Sequence, residues 1–112
     1  MHEASLMQSA LDLATEAARR AGAIRISRIS LRVGAESGVA PEALALAFEV
    51  LRQGTPADRA ELSIETRPAL FRCHACGAEF ADPGACPQCG EIKSHMIGGT
   101  ELELSAVEVL DP

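Results

Sequence analysis

The sequence predicts an α+β protein: two helices on a small three-stranded sheet, with a cysteine module inserted before the last strand. Three observations carry this expectation. Apolar residues recur at helical spacing over residues 5–21, with Leu6, Ala10, Leu13, Ala17 and Ala21 on one line and Met7, Leu11, Ala14 and Ala18 beside it. Apolar and polar residues alternate around Ile29, Leu62 and Leu102, as they do in strands with one covered face. All four cysteines fall between residues 73 and 89, in a stretch with too few apolar residues for a core of its own.

Each element has its own local signal. Ser5 and Gln8 have the spacing of a capping box, which starts the first helix near Ser5 and leaves residues 1–4 ahead of its first turn, while Gly22 suits its stop. The first strand covers residues 24–33. Ile29, Leu31 and Val33 share a parity that Ile24 and Ile26 do not, so a bulge near Arg28 is expected. A loop over residues 34–40 leads to Pro41, well suited to the first position of a second helix that reaches Gln53 and turns Leu44, Ala47, Phe48 and Leu51 inward. Gly54, Thr55 and Pro56 end it. Leu62 and Ile64 mark a second strand, closed by Pro68. After Gly98 and Gly99, the alternation of Leu102, Leu104 and Ala106 marks a third strand returning to the main body. Residues 1–68 and 98–112 thus form one α/β domain, and residues 69–97 form the inserted one.

The chain has 112 residues, enough for one domain with a small appendage. Hydrophobic residues make up 47% and charged residues 23%, so a core can be buried. Three Phe with no Tyr or Trp leave almost nothing for an aromatic platform that stacks bases or sugars. A net charge of −6 argues against sequence-independent nucleic acid binding and favours a cation or a basic protein as partner. No basic segment followed by an apolar run opens the chain, and the longest apolar run, residues 43–48, is far short of the roughly 20 needed to cross a bilayer. A cytoplasmic protein without a membrane partner is expected.

Cys73-His74-Ala75-Cys76 and Cys86-Pro87-Gln88-Cys89 form two C-x-x-C pairs. Cysteines three apart in a tight turn aim both sulfurs at one point, and Gly77 and Gly90 permit the left-handed backbone that such a turn needs. Two such turns supply four thiolates in a tetrahedron, which suits a structural Zn²⁺ and leaves no vacancy for water. Two disulfides fit a reducing compartment less well, whereas iron in the same cage suits the thiolates equally. His74, between two of these cysteines, and His95, beyond them, read as solvated side chains rather than ligands.

Met1, His2 and Glu3 also offer a distinctive set of donors. The α-amine and the imidazole of His2 lie on either side of the His2 amide nitrogen, so all three can close chelate rings on one ion, and Glu3 can add an oxygen. Nitrogen-rich sets of this kind suit Ni²⁺ or Cu²⁺. The amine must lose its proton to bind, so affinity should fall in mild acid.

Met-His-Glu at the N-terminus, a long amphipathic helix, a C-x-x-C pair and a Cys-Pro-x-Cys-Gly pair together resemble the HypA/HybF family of hydrogenase maturation factors. The resemblance covers the whole chain, and the order of elements is similar. It implies a nickel metallochaperone, not an enzyme, that helps insert Ni(II) into the large subunit of [NiFe] hydrogenase alongside a GTPase partner; some relatives serve urease. Carried over to this chain, the transferred Ni(II) falls on Met1, His2 and Glu3. The structural Zn(II) falls on Cys73, Cys76, Cys86 and Cys89, in an inserted zinc-ribbon module. The competing reading is a zinc-ribbon adaptor or a small iron electron carrier with an inert N-terminus. Assembly is left open up to a weak homodimer. The sequence has no Ser/His/Asp set, P-loop or glycine-rich dinucleotide turn to support an enzyme.

Overall fold

The computed structural model describes residues 2–110. Helix α1 (Glu3–Arg20) begins ahead of the Ser5–Gln8 pair. His2 is its N-cap and makes no side-chain cap bond, so residues 3 and 4 belong to the helix instead of projecting ahead of it. A tertiary contact overrides the local signal: the Glu3 carboxylate accepts the Ala40 N–H at 3.2 Å, which draws the first turn against the loop before the second helix. At the other end Gly22 has φ 75°, and the Ala23 N–H returns to the Ala18 carbonyl at 2.9 Å, satisfying a carbonyl that the helix leaves open.

The buried face of α1 is narrower than its periodicity suggests. Met7, Leu11, Ala14 and Ala18 are buried, whereas Leu6 and Ala10 are half-covered and Leu13 is 61% exposed. Among the described residues the sheet has three strands, and Leu6, Ala10 and Leu13 look onto its margin beside Leu102 and Leu104, where none of those residues adds a fourth.

Strand β1 (Arg25–Gly34) is the centre of the main sheet, pairing in parallel with β2 (Glu61–Arg67) and antiparallel with β6 (Leu102–Leu110). Parallel neighbours need a crossover, and α2 (Pro41–Leu51) provides it. Leu44 and Phe48 of α2 are buried in one core with Ile26, Ile29, Leu31 and Val33 of β1 and with Ala57 and Ala60 of the connection to β2. Full burial of each large aliphatic or aromatic side chain here contributes about 1.5–3 kcal/mol. The expected bulge is present: the register with β6 shifts between Ile26 and Arg28, which brings both Ile26 and Ile29 inward. A second shift was not legible. Ser30 pairs with Ala106 but Leu31 with Leu104, so parity along β6 flips, Ala106 is exposed, and Val107 and Val109 face the core instead.

The opposite face of the sheet is open and charged. Arg28 lies between Glu61 (3.0 Å) and Glu108 (3.6 Å), and Arg32 between Glu65 (3.2 Å) and Glu103 (3.3 Å).

The cysteine-rich segment forms a second sheet of β3 (Leu70–Cys73), β4 (Glu79–Phe80) and β5 (Ser94–Gly98), in the order β4-β3-β5. Its own small core is Cys73, Cys86 and Phe80, with Phe71 stacked on Phe80 at 5.9 Å. The two connections between the sheets cross at Gly99. There the Glu36 N–H donates to the Gly99 carbonyl (2.7 Å), the Ala35 N–H to the Arg67 carbonyl (2.7 Å) and the Gly34 N–H to the Glu101 carbonyl (2.6 Å). Among the described residues no helix is long and apolar enough to cross a membrane.

Candidate metal centre

Both C-x-x-C pairs fold as turns closed by backbone bonds. The Gly77 N–H donates to the Cys73 carbonyl (3.1 Å), and the Gly90 N–H to the Cys86 carbonyl (2.8 Å), with both glycines at positive φ. Each turn points further N–H groups at its leading sulfur: Ala75 N lies 3.3 Å and Cys76 N 3.5 Å from Cys73 Sγ, and Gln88 N lies 3.4 Å from Cys86 Sγ. Such donors stabilise a thiolate.

The Cys86 N–H donates to the Glu91 carbonyl (2.8 Å) and the Cys73 N–H to the Ala78 carbonyl (2.9 Å), so each turn is also tied to the strand or loop that follows it. The result is four sulfurs within 4.8 Å of one another. Cys73 and Cys89 sulfurs are 3.6 Å apart, and Cys76 and Cys86 sulfurs 3.7 Å apart. A Zn–S bond of about 2.3 Å sets the edge of a ZnS₄ tetrahedron at about 3.8 Å, so the sulfurs already stand at zinc-site spacing. A disulfide needs about 2.05 Å, and all four thiols are free. The donor set therefore fits zinc.

The four thiols differ in acidity. The Cys76 N–H holds the Cys73 thiol down to about 7, outweighing burial. The Glu91 N–H favours the Cys89 thiolate, but the Cys73 sulfur, burial and the other two sulfurs together push it up to about 12. Without an ion at the centre the cluster cannot carry four negative charges.

His74 and His95 stand apart from this cluster. His95 pairs with Arg72 and Ser94 with Cys73, so strand alternation turns the His95 imidazole to the face away from the Cys73 sulfur. The His74 ring lies beside it, with centroids 5.1 Å apart.

Of the N-terminal donors, Met1 lies outside the described residues. His2 is exposed at the head of α1. Glu3 beside it is only 7% exposed. A hydrogen bond from the amine of the chain terminus, then the Ala40 N–H and its own N–H, hold its carboxyl down to about 2. His2 borders two hollows, one formed with Leu6, Ser37, Val39 and Thr100 and the other a trough beside α2. The involvement of Ala40 and Thr100 was not readable from spacing, because both reach the N-terminus only through tertiary folding.

Residues 1–109 match the family model described as "Hydrogenase/urease nickel incorporation, metallochaperone, hypA". A curated relative from Picosynechococcus sp., named "Hydrogenase maturation factor HypA", is 41% identical over 113 residues, covering 98% of this chain and 100% of its own length. Among solved structures, one titled "Solution structure of HypA protein" is similar at TM-score 0.77 and 28% identity, covering 98% of this chain and 97% of that one. The solution structure of the Ni metallochaperone HypA from Helicobacter pylori shares the fold at TM-score 0.69 and 24% identity, with 98% of each chain covered.

Proposed function

This chain belongs to the HypA family of hydrogenase/urease nickel-incorporation metallochaperones, maturation factors rather than enzymes, and from that premise we propose how it carries its cargo. Ni(II) binds at the N-terminus through the Met1 amine and through the backbone nitrogen and imidazole of His2, with Glu3 adjacent, and passes to the large subunit of [NiFe] hydrogenase during maturation. The nickel work belongs to residues 1–68 and 98–112. Residues 69–97 hold a structural Zn(II) on Cys73, Cys76, Cys86 and Cys89. A GTPase of the same pathway is the working partner, self-association goes no further than a weak homodimer, and the setting is cytoplasmic.

The observation that carries this reading is the exposed imidazole of His2 at the start of α1, in a chain whose four thiols are gathered in a different sheet. A transferred ion has to be reached by its acceptor, and nitrogen donors at an exposed terminus suit Ni(II) better than a closed thiolate cage does. Zinc, when bound, supplies a fixed centre on which the two turns fold, and the Ala75, Cys76 and Gln88 N–H groups orient the sulfurs toward it.

Nickel titration of the untagged chain tests this against its His2→Ala variant. Loss of nickel uptake with zinc content unchanged is expected. Equal uptake by both proteins leaves the zinc-ribbon adaptor reading in its place.

A further inference from the structure

The trough beside His2 has an apolar far bank with no cover among the described residues. It measures about 600 Å³, with His2 and Ala4 along the α1 side and Ala43 and Ala47 on the α2 side. Leu46 is 70% exposed and Val50 64% exposed. They are four residues apart on α2, so they stack into one ridge while Leu44 and Phe48 hold the opposite side of the helix in the core. Two large aliphatic side chains on one exposed ridge beside a cargo site mark a surface built for contact.

The charge around the ridge narrows what fits there. Glu42 lies four residues before Leu46 and Glu49 three after it, both exposed, and Glu49 is paired with Arg52 at 3.2 Å. The rim is acidic in a chain of net charge −6, which disfavours an acidic partner and steers a basic one. Direct transfer also requires donor and acceptor ligands to share one ion, so the acceptor has to lie over His2, and this trough is continuous with it.

We propose that the Leu46–Val50 ridge and its trough dock the protein that receives the nickel ion, through a helix whose apolar strip is flanked by lysine or arginine. An apolar helix face lying in such a groove is a standard mode of peptide recognition. The proposal rests on the nickel reading of His2, and its test separates the two.

Nickel-loaded chain is mixed with nickel-free precursor of the [NiFe] hydrogenase large subunit, and the transfer rate is compared for wild type, Leu46→Glu, Val50→Glu and Glu42→Lys. Nickel affinity, zinc content and helicity should match wild type in all three variants, because these side chains are exposed. Transfer by Leu46→Glu should fall about thirty-fold, the size of a lost interfacial hot spot. Transfer by Glu42→Lys should fall more at low salt than at high salt. Wild-type transfer rates in Leu46→Glu and Val50→Glu overturn the docking proposal while leaving nickel binding intact. A wild-type dimer that Leu46→Glu converts to monomer, with transfer unaffected, assigns the ridge to a second copy and equally overturns it. Nickel uptake indifferent to His2→Ala instead removes the reading underneath.

Discussion

Gly34 lies directly against the carbonyl of Gly99, with no room for a β-carbon between them. A β-carbon on Gly99 would in turn stand 2.6 Å from Ala69 Cα. The strand leaving β1 and the two connections between the sheets therefore touch backbone to backbone, and hydrogen bonds from Gly34, Ala35 and Glu36 stitch them. The Glu101 carboxylate adds a side-chain bond at this junction by accepting the Gly99 N–H at 2.5 Å.

Gly99→Ala should destabilise the fold by about 1–3 kcal/mol, since Gly99 combines a φ of 104° with a blocked β-position. Gly22→Ala, where φ is 75° but the space is open, should cost about 1 kcal/mol. Urea midpoints of the two variants check the order; equal losses would mean that the close approach carries no energy of its own.

Glu3 makes stability depend on pH in a defined direction. Its carboxyl titrates near 2 in the fold against an ordinary value of 4.5, so its charge stabilises the native state above pH 4.5 and that contribution is lost as pH falls toward 2. Glu3→Gln keeps an acceptor for the Ala40 N–H but removes the charge. Its deficit in Tm should be full at neutral pH, shrink as pH falls from 4.5 toward 2, and vanish only below that. A deficit that does not change over that window would show the charge to be irrelevant.

Removing the metal should release the cysteine module and spare the main sheet. The cluster of Cys73, Cys86, Phe80, Phe71 and Ala78 is too small to hold three strands, whereas zinc binding to such modules contributes about 10–16 kcal/mol in apparent terms. After chelation, amide exchange should accelerate over residues 69–97 and stay slow at Ile29 and Leu31. Protection throughout both regions in metal-free protein counts against this division.

Zinc uptake should release protons. Cys89 sits near 12 and Cys73 near 7 in the metal-free cluster, so at pH 7 thiol protons remain that four thiolates around one ion must give up. Apparent affinity should fall about ten-fold per pH unit for each proton displaced as the solution is acidified. Calorimetry in buffers of different ionisation heat counts the protons, and a count of zero would exclude a thiolate cage.

Nickel and zinc should sense each other through the loop between β1 and α2. Glu36 at one end of it holds Gly99, and Ala40 at the other holds Glu3. Chelating zinc should therefore change the nickel affinity of the N-terminus, while identical nickel titrations with and without zinc would rule out this connection.

Periodicity and spacing located the elements that local chemistry governs. The Ile26/Ile29 parity switch announced its bulge, Pro41 opened α2, and the cysteine spacing announced four sulfurs at one point. Tertiary contacts set the rest. The bond from Ala40 to Glu3 moved the start of α1, and the irregularity at Ser105 turned Ala106 outward. Strands β3 and β5 carry little apolar alternation because their small core is built largely from cysteines and two phenylalanines. The position of His95 on the far face from the Cys73 sulfur follows from strand register, which no motif encodes.

The Glu-Arg-Glu rows across the open side of the main sheet bear on how copies of the chain behave when crowded. Both outer strands, β2 and β6, carry carboxylates there; Arg28 and Arg32 sit on the middle strand, and Arg67 at the end of β2 pairs with its own Glu65 at 3.3 Å. Two molecules approaching strand to strand would bring like charges together before any backbone bond could form. Arranging the signs in this way opposes pairing of copies through the two outer strands.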